Sequence, residues 1–316
     1  MKNKKKLIIL AVLTLLVIGI FLLWGLNNQN IEFFLPRRLR KIAAILVSAF
    51  CIGYSTVTFQ TITNNNILTP SIMGLDSLYQ FIQTVIIFLF GSRQLVMMSD
   101  TNNFLISVVA MMICSLLLFS FLFGKDGKSL YFLVLAGMVF GGLFNGMATF
   151  MQVLLDPNEF TVLQGKMFAS FSAINEKLLY VSILLLFVVM LITKRDYKKL
   201  DVMSLGQNHA INLGISYKRM VAKTLLIVSL LVSVSTALTG PITFLGIIVA
   251  SLSREWLKTY HHTVRIAGAV LIGSFALILG QLMIERLFRF ETTISVVINF
   301  IGGIYFIYLL LKEQKK

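Results

Sequence analysis

Charged residues are scarce in this sequence: they make up 13% of its 316 residues, while 57% of the residues are hydrophobic. A soluble domain carries about 25% charged residues, so this composition excludes an ordinary globular enzyme and a disordered protein. Cysteine is scarcer still, with two residues. Cys51 and Cys114 lie in separate apolar runs with no second metal-ligating side chain nearby, which indicates small buried hydrophobic residues. The sequence therefore predicts an integral membrane protein.

Acidic residues are few, with 13 Asp and Glu against 28 Lys and Arg. No basic patch is interleaved with aromatic residues, so nucleic acid is not an expected partner. Every acidic residue lies at or beyond the end of an apolar run, whereas an ion-coupled carrier usually keeps an ionisable residue inside the bilayer. This pattern weakens secondary transport without excluding it. His209, His261 and His262 fall in predicted cytoplasmic loops, so no histidine is available for an intramembrane haem or metal.

The apolar runs predict the number of membrane spans. Nine stretches longer than 15 residues lack charged side chains, and a helix needs about 20 residues to cross about 30 Å of hydrocarbon. The stretch 224–253 is too long for one helix, and Gly240-Pro241 interrupts it, which gives ten spans. The stretch 42–75 contains a run of Thr and Asn before Pro70, so one helix is expected to end near Thr63 and to be followed by a polar turn.

Ten spans return both ends of the sequence to the same side of the membrane. Both ends are basic, so the positive-inside rule places them in the cytoplasm. Alternation then puts 19 of the 28 Lys and Arg residues inside. The nine outside are Arg37, Arg38, Arg40, Lys41, Arg93, Lys166, Lys177, Arg286 and Arg289. The first stretch, 7–31, is longer than the apolar part of a usual signal peptide and lacks a small-residue cleavage site, which favours a retained helix.

Residues 124–129 end in Gly-Lys-Ser, like a phosphate-binding loop. That motif needs a glycine at the position of Leu122 and a preceding soluble strand, and the sequence has neither. The segment is therefore interpreted as a cytoplasmic turn. No ATPase site and no other catalytic constellation is expected in this chain.

Three segments contain the remaining residues that indicate a function. The first, 36–75, opens with external cations and closes with a polar turn. Its key residues are Arg37, Arg38, Arg40, Lys41, Gln60, Asn65, Pro70 and Gly74. The second, 200–215, is cytoplasmic. The third, 240–254, combines the helix break with a short helix that ends at Arg254.

In the second segment, two glycines eight residues apart bracket a single short helix. Gly206 permits an abrupt start, and Gly214 suits the left-handed conformation that ends a helix. Ala210 and Leu213 are predicted to form a small apolar face. Such a helix could pack into a groove on a soluble protein, and the alternative is an amphipathic helix that lies on the membrane surface.

Together these segments resemble the permease subunits of ABC importers for ferric siderophores and cobalamin, the FecCD-type family, over nearly the whole chain. The sequence is most similar to the iron-siderophore branch. The resemblance implies an all-α, ten-helix protein with the type II ABC importer permease fold. It also implies a single permease domain, 1–316, in the bacterial cytoplasmic membrane, with residues 200–215 as its cytoplasmic coupling-helix segment. A cobalamin or haem importer and an ion-coupled carrier are the alternatives.

The resemblance also implies partners. ABC ATPase subunits would bind ATP and Mg²⁺, a second permease subunit would be identical or paralogous, and an extracytoplasmic binding protein would deliver the ferric siderophore. No cofactor is expected in this chain itself.

The resemblance assigns three groups of residues. Those expected to dock the ATPase are Leu205, Gly206, Gln207, Ala210, Leu213, Gly214 and Arg254. Those expected to dock the binding protein are Arg37, Arg40 and Arg286, with Arg289 as a competitor of Arg286. Those expected to line the translocation path are Gln60, Asn65, Pro70, Gly141 and Gly142. The cations at 37–41 could instead anchor a helix at phospholipid headgroups, and the glycines of 137–146 could simply allow close helix packing.

Overall fold

The fold is seen in a computed structural model that describes residues 2–26, 31–97, 100–123, 130–172, 174–288 and 291–313. Within these ranges the chain is all-α, as predicted, with thirteen α-helices and one π-helical turn, Ser71–Leu75. The helices are α1 Lys2–Leu23, α2 Ile31–Ile62, α3 Asp76–Met97, α4 Asp100–Phe123, α5 Leu130–Val153, α6 Pro157–Met167, α7 Glu176–Thr193, α8 Tyr197–Met203, α9 Gln207–Asn212, α10 Tyr217–Thr239, α11 Leu245–Leu257, α12 His262–Arg286 and α13 Ile294–Glu313.

Eight described segments are long and apolar enough to cross a membrane. They are α1, α2, the π-helical turn with most of α3, most of α4, α7, α10, α12 and most of α13. The 24-residue α5 and the 13-residue α11 bring the number of apolar helical segments to the ten expected. This confirms a multi-pass membrane protein. At about 20 Å long, α11 is too short to cross the bilayer alone.

The helix break predicted at Gly240-Pro241 lies inside the bundle. The hydroxyl of Thr239, the last residue of α10, is 3.4 Å from that of Ser48 on α2. Ser48 is seven residues, or about 10 Å along the helix axis, inward from Lys41, which was predicted to be external. The α10–α11 connection therefore lies inward from that end of the bundle, and α11 returns from there toward the opposite end.

Irregular backbone at this depth needs cover from other protein segments. Ser170 donates its backbone N–H to the carbonyl of Thr239 at 2.8 Å. Gly240 has φ +93°, and a Cβ added there would lie 2.9 Å from the Cα of Ala169. Only glycine fits this close approach in this left-handed conformation.

The polar turn expected after α2 is also present, because α2 ends at Ile62. Gln60 donates from its side-chain amide to the carbonyl of Asn66 at 2.7 Å, and Ile67 donates its N–H to the side chain of Asn65 at 2.9 Å. Pro70 then precedes the π-helical turn. These bonds satisfy backbone groups in a partly buried, non-helical segment.

One prediction about charge is wrong. Asp76 was expected at a span boundary, but the π-helical turn extends the membrane span to Ser71–Gly91, and Asp76 lies within it. Its side chain is buried, and it accepts a hydrogen bond from the Thr243 hydroxyl at 2.7 Å. An acidic residue therefore does lie inside a span, and the sequence argument against ion coupling loses its premise.

Candidate docking surfaces and conduit

The short helix bracketed by two glycines is present as predicted. Helix α9 lies between Gly206, with φ +97°, and Gly214, with φ +82°. At its end, Gly214 donates to the carbonyl of Ile211 and Ile215 donates to that of Ala210, at 2.9 and 3.0 Å. These two bonds are those of a helix that ends on a left-handed glycine. The glycine spacing thus defined this helix correctly.

The prediction that Ala210 and Leu213 form one apolar face of this helix is wrong, because the two side chains lie in different environments. Ala210 is fully buried and belongs to the same apolar cluster as Leu200 of α8 and Met220 of α10. Leu213 is instead 62% exposed, so the two residues do not share a surface. The difference arises because so short a helix is held by packing against its own chain. The exposed large apolar residues here are Leu205, Ile211 and Leu213.

Helix α8, which leads into α9, is tied to the membrane bundle by Asp201. One carboxylate oxygen of Asp201 accepts the backbone N–H of His262 at 2.6 Å and lies 2.6 Å from its ring Nδ1. The other ring nitrogen of the fully buried His262 lies 2.6 Å from the Thr61 hydroxyl. Three elements, α8, α12 and α2, therefore meet at one histidine.

Electrostatics favours the ionised form of Asp201. Its partial burial alone would raise its pKa, but the hydrogen bonds from His262 and His261 outweigh that effect and hold the pKa below its ordinary value. The sequence did not predict this contact, since His262 was assigned to a loop and is the first residue of α12. The two residues are 61 positions apart, and no local pattern connects them.

Arg254 lies in the last turn of α11. Its guanidinium nitrogen Nη1 is buried and has no hydrogen-bond acceptor among the described residues. A buried donor without an acceptor costs free energy. The predicted turn at 124–129 and Arg289 lie outside the described residues.

At the opposite end of the bundle, cations line a cavity of about 380 Å³. They are Arg37, Arg38, Arg40, Lys41 and Arg286. The structure thus brings together the three arginines predicted to dock a binding protein. The cations at 37–41 were placed in a loop, but they lie on α2, which already begins at Ile31 and includes Pro36. Pro36 is the sixth residue of this helix and lies past its first turn, so its missing N–H removes one backbone hydrogen bond near the start of α2.

The five cations have different partners. Arg40 pairs with Glu176 at 2.5 Å, and Lys41 pairs with Glu285 at 2.6 Å. Arg38 donates to the carbonyl of Leu22, near the end of α1, at 2.7 Å. Arg286 donates to the carbonyl of Trp24, directly after α1, at 2.7 Å. These bonds fix the rim of the cavity.

Arg37 differs from the other four cations. It is exposed, and its guanidinium carbon lies 3.9 Å from the centroid of the Phe33 ring. No hydrogen-bond acceptor or carboxylate partner of Arg37 is found in the described part of the chain. Stacking on an aromatic ring orients a guanidinium and leaves its N–H donors available. Arg37 is therefore the cation best placed to bind an acidic group from outside.

The predicted path residues divide into two environments. Gln60 and Pro70 are buried and Asn65 is half-buried, all three at the polar turn. Gly141 is buried on α5, where an added Cβ would lie 2.9 Å from the Cα of Gly74. The neighbouring Gly142 is exposed, and an added Cβ would meet no atom within 4 Å. Gly141 thus has a packing role, and Gly142 lies on a surface that its own chain leaves uncovered.

This pair of adjacent glycines gives a direct test of packing. We expect Gly141→Ala to destabilise the purified protein, because the added methyl group meets backbone of the π-helical turn, and overpacking costs about 1–3 kcal/mol. Gly142→Ala is the matched control, since alanine is favoured over glycine in a helix and meets no neighbour here. Thermal unfolding in detergent measures both. Equal midpoints would contradict the close contact.

Comparison with known proteins agrees with this architecture. The sequence model described as the FecCD transport family matches residues 6–312. The chain is 53% identical over 315 residues to the petrobactin import system permease protein YclO of Bacillus subtilis (strain 168), covering 100% of this chain and 99% of that protein. It is 35% identical over 314 residues to the petrobactin import system permease protein FatC of Bacillus anthracis, covering 96% and 89%.

Among solved structures, a metal-chelate type ABC transporter in an inward-facing conformation is similar with a TM-score of 0.84. The sequences are 24% identical, and the match covers 98% of this chain and 99% of the other. At this identity the likeness concerns the fold.

Proposed function

Because the chain belongs to the FecCD transport family, we propose that it is the permease through which an ABC importer moves a ferric siderophore of the petrobactin type across the bacterial cytoplasmic membrane. The observation that supports this most is the 53% identity to a petrobactin import permease over the whole chain. The chain is an ABC importer permease by family. The siderophore is our proposal.

The partners follow from the two ends of the bundle. At the cytoplasmic end, α9 with its exposed Leu205, Ile211 and Leu213 docks the ATPase, and Arg254 in the last turn of α11 lies near this contact. At the external end, the cationic cavity receives an acidic group of an extracytoplasmic binding protein. A second permease subunit completes the conduit. ATP and Mg²⁺ bind to the ATPase subunits, and both termini lie in the cytoplasm.

ATP hydrolysis supplies the work, and this chain supplies the route. Closure of the ATPases would move α9, and the bonds of Asp201 to His262 would carry that motion into the spans. The bundle would then open toward the opposite side. A path that held the siderophore tightly would not release it, so no tight substrate site is expected within the spans.

Uptake measurements test the energy source and the substrate. In cells that carry this permease with its partners, we expect uptake of iron-loaded petrobactin to stop when the ATPase is inactivated by mutation and to continue in the presence of a proton uncoupler. The buried Asp76 makes this comparison necessary, because such residues bind coupling ions in other transporters. Uptake that survives ATPase inactivation but stops with the uncoupler would reject the proposal in favour of an ion-coupled carrier.

Competition for uptake identifies the transported substrate. Excess unlabelled iron-loaded petrobactin should block uptake of the labelled compound, whereas cobalamin and haem should not. Competition by cobalamin or haem would favour the corresponding importer of the same family. Identification of the chains that co-purify with the native complex would also decide between a homodimer and a pair of paralogous permeases.

A further inference from the structure

Asp76 and Thr243 join two interrupted helices inside the membrane. Asp76 directly follows the π-helical turn Ser71–Leu75, and Thr243 lies in the connection between α10 and α11. The Thr243 hydroxyl donates to Oδ2 of Asp76 at 2.7 Å, although the two residues are 167 positions apart. Both segments depart from regular helix, with left-handed glycines at Gly74 and Gly240. They are therefore places where the backbone can change direction.

This contact lies near the middle of the bundle. A cavity of about 10 Å³, the space of about one water molecule, adjoins Asp76 and is lined by Ile52 and Thr56 of α2. Ile52 is ten residues, or about 15 Å along the helix axis, from the end of α2 at Ile62. The ion pairs of the described residues do not include Asp76. A carboxyl group at this depth is costly, and such residues are typically functional.

The two ends of this hydrogen bond are connected to different segments of the bundle. On the Asp76 side, a Cβ added to Gly74 would lie 2.6 Å from the Cα of Gly141, so the π-helical turn and α5 are in direct backbone contact. On the Thr243 side, α11 runs to the cytoplasm at Leu257, and the next helix begins with His262, which is bonded to Asp201 of α8. Helix α8 continues into α9.

We propose that the Asp76–Thr243 hydrogen bond transmits movement between the cytoplasmic platform of α8 and α9 and the conduit helix α5. The inference rests on the proposed transport function, because α5 lines the path only if the chain is a permease of this kind. Asp76 and Thr243 are positioning residues: they contact no substrate and act through the segments that they join. Coupling claims need a perturbation test at the element itself, and this bond offers one.

Thr243→Val tests the proposal, since valine keeps the shape of threonine and removes the donor. We expect the maximal rate of siderophore uptake to fall at least tenfold, with unchanged assembly with the ATPase and unchanged half-saturating substrate concentration. Thr243→Ser restores a hydroxyl and should recover at least half of the wild-type rate. Thr58→Val is the matched control, because Thr58 is fully buried and its hydroxyl bonds only to carbonyls of its own helix, at Tyr54 and Ser55.

The outcomes separate this inference from the proposed function. If the wild-type complex does not take up the ferric siderophore, the function fails. If the wild type is active and Thr243→Val transports like Thr58→Val, the coupling role fails. Equal impairment of the Ser and Val variants also overturns it. If Thr243→Val and Thr243→Ala both fail to assemble, the bond is needed for folding rather than for the transport cycle, and the proposal is again rejected.

Discussion

Leu213→Asp is expected to release the ATPase from the permease. Leu213 follows the last residue of α9 and is 62% exposed in the isolated chain. In a docked complex this leucine would be covered by apolar surface of the partner, and a buried carboxylate there would lack a cationic partner. Anchor residues at the centre of an interface contribute about 2–4 kcal/mol. We expect co-purification of the ATPase to fall more than tenfold, with loss of siderophore uptake.

Two further variants make this result specific. Leu287→Asp introduces the same change at a leucine that is 68% exposed but follows the end of α12, at the opposite end of the bundle from α9, so it should leave ATPase binding intact. Ala210→Asp should act differently, because Ala210 is fully buried among residues of its own chain. We expect it to reduce the yield of folded permease. Normal co-purification with Leu213→Asp would contradict the assignment of α9 as the docking helix.

The sequence predicted those parts of the fold that depend on local patterns. Long apolar runs defined the spans, because about 20 apolar residues are needed wherever a helix crosses the bilayer. Glycine and proline located the interruptions at Gly240-Pro241 and the bracket around α9, since left-handed backbone requires glycine. These features are read from neighbouring residues, and the structure confirms each of them.

The errors concern contacts between distant residues. The burial of Ala210 depends on α8 and α10, which pack against one side of α9. Asp76 was assigned to a boundary because the spans were defined as runs without charged residues. That definition misses a carboxyl group inside a span, and the threonine that bonds to Asp76 is 167 positions away in the sequence. The pairing of Asp201 with His262 has no local signature either. In a membrane protein a few polar contacts of this kind fix how apolar helices meet, and sequence periodicity does not identify the partners.

The external arginines show the same limit, because the pattern predicted the group but not the role of each member. The sequence treated Arg37 and Arg40 as equivalent, three residues apart in a loop. In the structure Arg40 is bound to Glu176, whereas Arg37 lies on Phe33 with its donors available. The two residues should therefore differ in their effect on capture of the binding protein, and Arg37 should matter more.

Replacement of both Arg37 and Arg40 by Glu is expected to abolish capture of the binding protein while the membrane complex stays assembled. Removing a charged partner from an interface and placing a like charge there weakens association strongly, so we expect the dissociation constant to rise by a factor of about 100 or more. Arg37→Glu alone should cause most of this loss. Arg40→Glu alone should have a smaller effect and should also repel Glu176, which it now faces without a counter-charge.

Lys177→Glu is the matched control for these reversals. Lys177 is exposed, belongs to the same external face in the predicted topology and does not line the cavity, so its reversal makes the same change in net charge as either single arginine reversal and half the change of the double variant. Binding measured on reconstituted complexes, at low and at moderate salt, should show that the wild type weakens as salt increases, whereas the double variant, in which like charges repel, does not weaken. If Lys177→Glu weakens binding as much as the double variant, a diffuse field guides the partner, and the cavity is not its docking site.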